Sequence, residues 1–319
     1  MSELAFRGAY QLKNLIIEGL RTSSLSSGLF RDLSHLEVLT FRSGLTDLGA
    51  IDLTGVENLK SLNFIRNQFK SVTGNLIHPL KNLKYLILGV NSINSIEFSQ
   101  VHSLIVLNLS RNRIKQLNAT SLSGLTNLRT LILDRNLIDY IENGVFSSLN
   151  KLKKLDLSYN SITVLNVDTF KGLDNLQYLS LKRNHISTIN INTFSALAKL
   201  SQLDLSEQIG LVTIDLHAFP QFIDMQTKTV IDTKISSELD DFEEAELEWF
   251  KGTFAFSSNF FYVDAFENFP NLFFVPFCEK YGLDRQFDLH NLKQNIENRT
   301  LVIGNLDLSR NRIVLINFD

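Results

Sequence analysis

Tyrosine and arginine return at fixed steps along the middle of this chain. Tyr85, Arg111, Arg135, Tyr159, Tyr178 and Arg183 each fall two or seven residues after one of a series of evenly spaced leucines. Ile87, Val106, Ile132, Lys154 and Lys182 fall two, four or six residues after the same leucines. The chemistry open to such a set is recognition. A guanidinium offers a planar fork of donors and stacks on aromatic rings, and tyrosine offers a large apolar face with a polar tip. These types are favoured at the centres of protein interfaces. Reaction chemistry has no comparable set. There is no glycine-rich phosphate loop, no GxGxxG and no serine nucleophile elbow. The six histidines are scattered without metal-ligand spacing. Cys278 has no neighbouring His or acid and reads as a small buried apolar residue rather than a reactive thiol. The expectation is a non-catalytic chain with no cofactor and no metal.

The element that must position these residues is a phrase repeated along the chain. Leu128–Leu176 contains it twice, with leucines at the first, fourth and sixth positions, Asn at the ninth, Phe six residues before the next start and Leu three before it. Starts fall at Leu12, Leu36, Leu59, Leu83, Leu104, Leu128, Leu152, Leu176 and Leu200, at intervals of 24, 23, 24, 21, 24, 24, 24 and 24 residues. Such a period with such a phrase marks a leucine-rich repeat solenoid. The alternation around the fourth and sixth positions predicts one short strand per unit, with leucines inward and the intervening residues outward. Stacked in parallel, these strands form a sheet on the concave side, with loops or short helical turns behind. Phe146, Phe170 and Phe194 are expected to stack as a second apolar column. Asn67, Asn91, Asn112, Asn136, Asn160 and Asn184 are expected to bond backbone groups at the turns. Leu20, Gly44 and Gln208 break the Asn rule, which predicts looser turns there. The array is read as one domain over residues 1–319, with about thirteen units: regular over 12–222, degenerate over 223–302, and a last partial repeat over 303–319. It reads as a fragment without either cap.

The phrase resembles the 24-residue "typical" class of leucine-rich repeats. It is similar to the arrays of Toll-like receptor ectodomains, small leucine-rich proteoglycans and animal cell-surface adhesion proteins. That resemblance implies a horseshoe that binds other macromolecules, carries out no chemistry, and sits outside the cell between cysteine-rich caps. This chain holds one cysteine, so it contains no such cap and no intrachain disulfide.

Composition adds limits. The net charge of −3 gives no bulk drive toward nucleic acid or an anionic membrane. No apolar run reaches the roughly 18–20 residues of a membrane span. Three N-glycosylation sequons begin at Asn108, Asn118 and Asn298, each an acceptor only in a secreted chain. Asn118 is the preferred one, since Asn108 lies on the concave strand. Ile87, Val106 and Ile132 are expected to form an exposed apolar strip there. Residues 238–248 read ELDDFEEAELE, an acidic stretch expected on a solvated convex face. The leading expectation is a protein-binding array of an extracellular or cell-surface receptor, adhesion or matrix protein, with a protein ligand or co-receptor and scope for dimerisation. The runner-up is a cytoplasmic scaffold or regulatory subunit, favoured by the single cysteine.

Overall fold

The computed structural model describes residues 4–19, 22–99 and 101–209 with their side chains, and the backbone of 213–215, 223–224, 229–230, 306–307 and 315–317. The chain divides into two compact units, Met1–Gln221 with Asp307–Asp319, and Phe222–Leu306. In the second, the described backbone includes an antiparallel pair, Ile223–Asp224 with Thr229–Val230. The degenerate stretch 225–302 apart from its described strand residues, with the acidic segment 238–248, Cys278 and Asn298, and the turn at Leu20 lie outside the described residues.

The first unit is built from strands too short to stand alone. Asn14–Glu18, Val38–Arg42, Ser61–Asn63, Tyr85–Ile87, Val106–Asn108, Thr130–Ile132, Lys154–Asp156, Tyr178–Ser180 and Gln202–Asp204 lie side by side in one sheet. Every neighbouring pair among them is parallel. Paired residues are offset by 24, 23, 24, 21 and then four times 24 positions, the same series as the leucine starts. Even the short unit keeps its place, with Tyr85 opposite Val106. Its missing residues therefore fall behind the strand, where the loop absorbs them without a register slip.

What holds the stack is one buried leucine in each strand from the second onward. Leu39, Leu62, Leu86, Leu107, Leu131, Leu155, Leu179 and Leu203 are all essentially inaccessible. Behind them runs the expected aromatic column. Phe146, Phe170 and Phe194 are fully buried, with ring centroids 6.4 and 5.8 Å apart in stacked pairs. Phe30 and Phe98 hold the same place in earlier units. Truncating one such ring costs about 3–5 kcal/mol, so the column contributes to stability in every unit that carries it. Among the described residues the back of the units is mostly turns, with one four-residue helix, Gly74–Ile77, and short two-strand ladders such as Ser71–Thr73 with Ser95–Glu97. This is a parallel-strand solenoid of the leucine-rich-repeat horseshoe type.

The Asn side chains close the turns as expected. Asn160 Nδ2 donates to the carbonyls of Leu157 at 2.9 Å and of Leu133, one unit earlier, at 3.1 Å, and its Oδ1 accepts from Ile138 N at 3.0 Å. Asn112, Asn136 and Asn184 repeat this set. Gln208 corrects one expectation. Its amide donates to Leu181 O at 2.6 Å and accepts from Ile186 N at 3.2 Å, the two links that Asn184 makes one unit back. The longer arm reaches the same partners, so that turn is not loosened. The Gly44 turn is held as well, because Asn67 Oδ1 accepts from the backbone of Ser43, Gly44 and Leu45.

Candidate functional site

The residue just before each turn amide adopts the left-handed backbone region. Arg66, Val90, Arg111, Arg135, Tyr159, Arg183 and Glu207 all have φ between 53° and 59°. A non-glycine residue there costs roughly 1–2 kcal/mol. The stack over-determines it. Arg135 N, for example, donates to Ser158 O in the next unit at 2.9 Å, and Tyr159 N to Lys182 O at 2.7 Å. This conformation sets the side chains of Arg111, Arg135, Tyr159 and Arg183 in one column at the end of the strand wall.

Within that column three units interlock. Tyr159 is flanked by Arg135 from the unit before, whose guanidinium carbon lies 4.1 Å from the ring centroid, and by Arg183 from the unit after, at 5.2 Å. Each contact is a cation–π pair worth about 0.5–1 kcal/mol at an exposed site. One column over, Lys154 Nζ sits 4.9 Å from the Tyr178 ring. Lys182 pairs with Glu207 at 3.4 Å. The sequence-expected residues Arg111, Arg135 and Arg183 are exposed, and Lys154, Tyr159, Tyr178 and Lys182 are half-buried.

The apolar members behave differently. Tyr85, Ile87, Val106 and Ile132 are buried, so the expected exposed apolar strip is absent. Members of one column in a parallel sheet stand only about 4.8 Å apart, so each covers the flank of the next. Ile87 stands between Asn63 and Asn108, both buried. Asn108 is corrected too. Its Oδ1 accepts from Ser110 N at 2.9 Å and the residue is 3% exposed, which leaves no room for a glycan in the folded chain. Asn118 is exposed, with Oδ1 accepting from Thr120 N and Oγ1 in a local turn.

The carboxylates of this face were not singled out from the sequence. Asp156 and Asp204 each accept from the backbone N–H two residues on, at 2.9 Å, as Asn108 does. Counting four and six residues from each start reaches Asp156, Asp204 and Asp134, so the signal was present among the strand positions. Asp134 is buried, its Oδ1 has no hydrogen-bond partner, and its Oδ2 lies 3.7 Å from Arg135 Nε. Burial, with repulsion from Asp156, pushes its carboxyl up to about 7 against the pull of Arg135 and Arg111. Burial also lowers the Lys154 ammonium against the attraction of Asp156 and Asp134. The Tyr178 hydroxyl is raised by burial and by Asp156 and Asp204. Among the described residues no group of His, Cys, Asp or Glu could hold a metal ion, and no helix is long and apolar enough to cross a membrane.

Residues 90–138, 126–168 and 150–207 match the family model described as leucine rich repeat. Residues 90–207 of this chain therefore carry leucine-rich repeats. Among solved structures it is similar to a chain of the mouse RP105/MD-1 complex, with 27% identity over 67% of this chain and 37% of that one, at a TM-score of 0.61. It is also similar to a chain of a TLR13–ssRNA13 complex, with 28% identity over 62% and 32%, at a TM-score of 0.49. An internalin of Listeria monocytogenes shares the fold, with 22% identity over 64% and 56%, at a TM-score of 0.50. No curated protein matches the sequence. The chain spans about a third of the length of the first two.

Proposed function

We propose that this chain is a non-catalytic module that binds a protein ligand or co-receptor on its strand wall, as part of an extracellular or cell-surface receptor, adhesion or matrix protein. The observation that carries the reading is the Arg135–Tyr159–Arg183 stack, continuous over three units and accessible at both arginines. The candidate contact residues are Arg111, Arg135, Tyr159, Tyr178 and Arg183, while Tyr85, Ile87, Val106 and Ile132 are buried in strands of the same sheet. Resemblance to a chain solved in a complex, mouse RP105/MD-1, supports the binding reading. Charges of both signs on the wall, with Asp134, Asp156 and Asp204 among the basic residues, favour a protein over a nucleic acid, because a polyanion would meet repulsion there.

A photo-crosslinking side chain placed at Tyr178 or Arg183 tests this in cells that express the protein. Adducts with one protein are expected from both positions and not from Val164, which is exposed outside the strand wall. Adducts from Val164 alone would overturn the reading. The single cysteine favours a second setting, a cytoplasmic scaffold. Treatment of the native protein with an N-glycan-cleaving enzyme separates the two. Loss of mass that is abolished by Asn118→Gln supports the extracellular setting, and an unchanged mass supports the scaffold.

A further inference from the structure

We infer that the partner presents an acidic helix to the Arg135–Tyr159–Arg183 stack, with two carboxylates one heptad apart taken by the two guanidinium groups. The inference rests on the binding reading above and adds the chemistry of the partner. Most other cations of this wall are already committed. Lys182 pairs with Glu207, and Lys154 is half-buried over Tyr178 and is attracted by Asp156 and Asp134. The Arg135 and Arg183 guanidinium groups lie over the Tyr159 ring and are exposed, and Arg135 Nε also lies 3.7 Å from Asp134 Oδ2. A guanidinium has five N–H donors, so one lying over a ring keeps donors for a carboxylate from a partner. The stack also holds both side chains in place before a partner arrives, so less rotamer freedom is lost on binding.

Spacing selects the shape of the partner. Arg135 and Arg183 occupy the same position two units apart, and two strand spacings are roughly 10 Å. Residues i and i+7 of an α-helix are separated by roughly 10 Å along its axis and share one face. In an extended strand, residues of one face are spaced by about 7 or 13 Å and fit neither guanidinium pair well. A helix lying along the stack would set an i+3 or i+4 residue over Tyr159, so a small or polar residue there meets the tyrosine edge. A phosphate or sulfate polymer carries a charge on every unit and would also meet Asp156 and Asp204 of the neighbouring strands, whereas this helix needs carboxylates only at the two guanidinium groups.

The test uses the full 319-residue chain and a capped alanine-rich helical peptide with glutamates at i and i+7. A second peptide of equal composition carries them at i and i+5, on opposite faces. Titration followed by NMR or fluorescence anisotropy is expected to give saturable binding of the first peptide at about 1 mM or tighter. Arg183→Glu should weaken it tenfold or more, and a peptide with lysine in place of one glutamate should recover affinity for that variant. Arg183 is exposed, so the variant should keep its fold, which circular dichroism checks. Absence of saturable binding, equal binding of both peptides, or indifference to Arg183→Glu would overturn the inference. If the crosslinks from Tyr178 and Arg183 persist while the spaced peptide fails, the acidic-helix partner falls and the binding wall stands.

Discussion

Replacing Asn160 by alanine gives the sharpest reading of what the turn amides contribute. Asn160 is 6% exposed, and its amide serves three main partners: Leu133 O, Leu157 O and Ile138 N. The two carbonyls are not left bare by the substitution. Leu133 O also accepts from Asn136 Nδ2 at 3.0 Å, and Leu157 O from Asn184 Nδ2 at 3.0 Å. Each of those losses is a second bond, worth about 0.5–1 kcal/mol. Ile138 N loses the acceptor it has in Asn160, and an orphaned buried donor costs about 1–3 kcal/mol. The sum predicts a destabilisation of about 3 kcal/mol by urea melting, with the larger part local to one amide. Hydrogen exchange should therefore show Ile138 losing protection more than the amides of Leu155 or Leu179 in the strands. Leu137→Ala, at an exposed neighbouring position, should change stability by less than about 0.5 kcal/mol. A loss under about 1 kcal/mol with Ile138 still protected would refute the accounting, and would mean that water takes over from the amide.

The same structure makes further predictions. Gly172 has φ +91°, and a Cβ there would stand 2.5 Å from Ser147 Cα, so Gly172→Ala should cost more than about 2 kcal/mol in a thermal melt. Val90 is a β-branched residue in the left-handed region. Val90→Asn should therefore stabilise by up to about 1 kcal/mol, and a lowered melting temperature would count against the strain. Asp134 has a folded pKa of about 7, above its unfolded value of about 3.9. The folded state holds that proton more tightly, so stability should fall as pH rises from about 4 to about 7 and level off above, by about 4 kcal/mol in total. Asp134→Asn should flatten this slope and be the more stable protein at pH 8. Equal slopes for the two proteins would show that the carboxyl is solvated.

The fold was legible because the same test is repeated in every unit. A wrong period would have placed a leucine of some unit outward, and none of the central strand leucines is. The amide ladder followed from the same periodicity, with Gln208 as its misread member: a residue type signals a turn only through the atoms it can reach, and a glutamine reaches what an asparagine reaches when the backbone sits slightly farther off. The site was less legible. Alternation said which side chains leave the core, but not how far a neighbouring column would cover them, so Ile87 and Val106 were expected in solvent and lie buried. The left-handed residues gave no composition signal, since arginine, tyrosine, valine and glutamate all occur there. The stack of Arg135, Tyr159 and Arg183 depends on that backbone conformation and on contact between units, neither of which is written in a single repeat.

The central claim is that the strand wall binds a protein. Its most direct test is the affinity of the crosslinked partner for a matched set of surface variants, measured by surface plasmon resonance. Arg183→Glu and Tyr178→Ala on the wall should each weaken binding by tenfold or more, and Val164→Asp outside it should stay within about twofold of the parent. Full affinity in both wall variants, or loss only in Val164→Asp, would contradict the account and move the interface to the other side of the array.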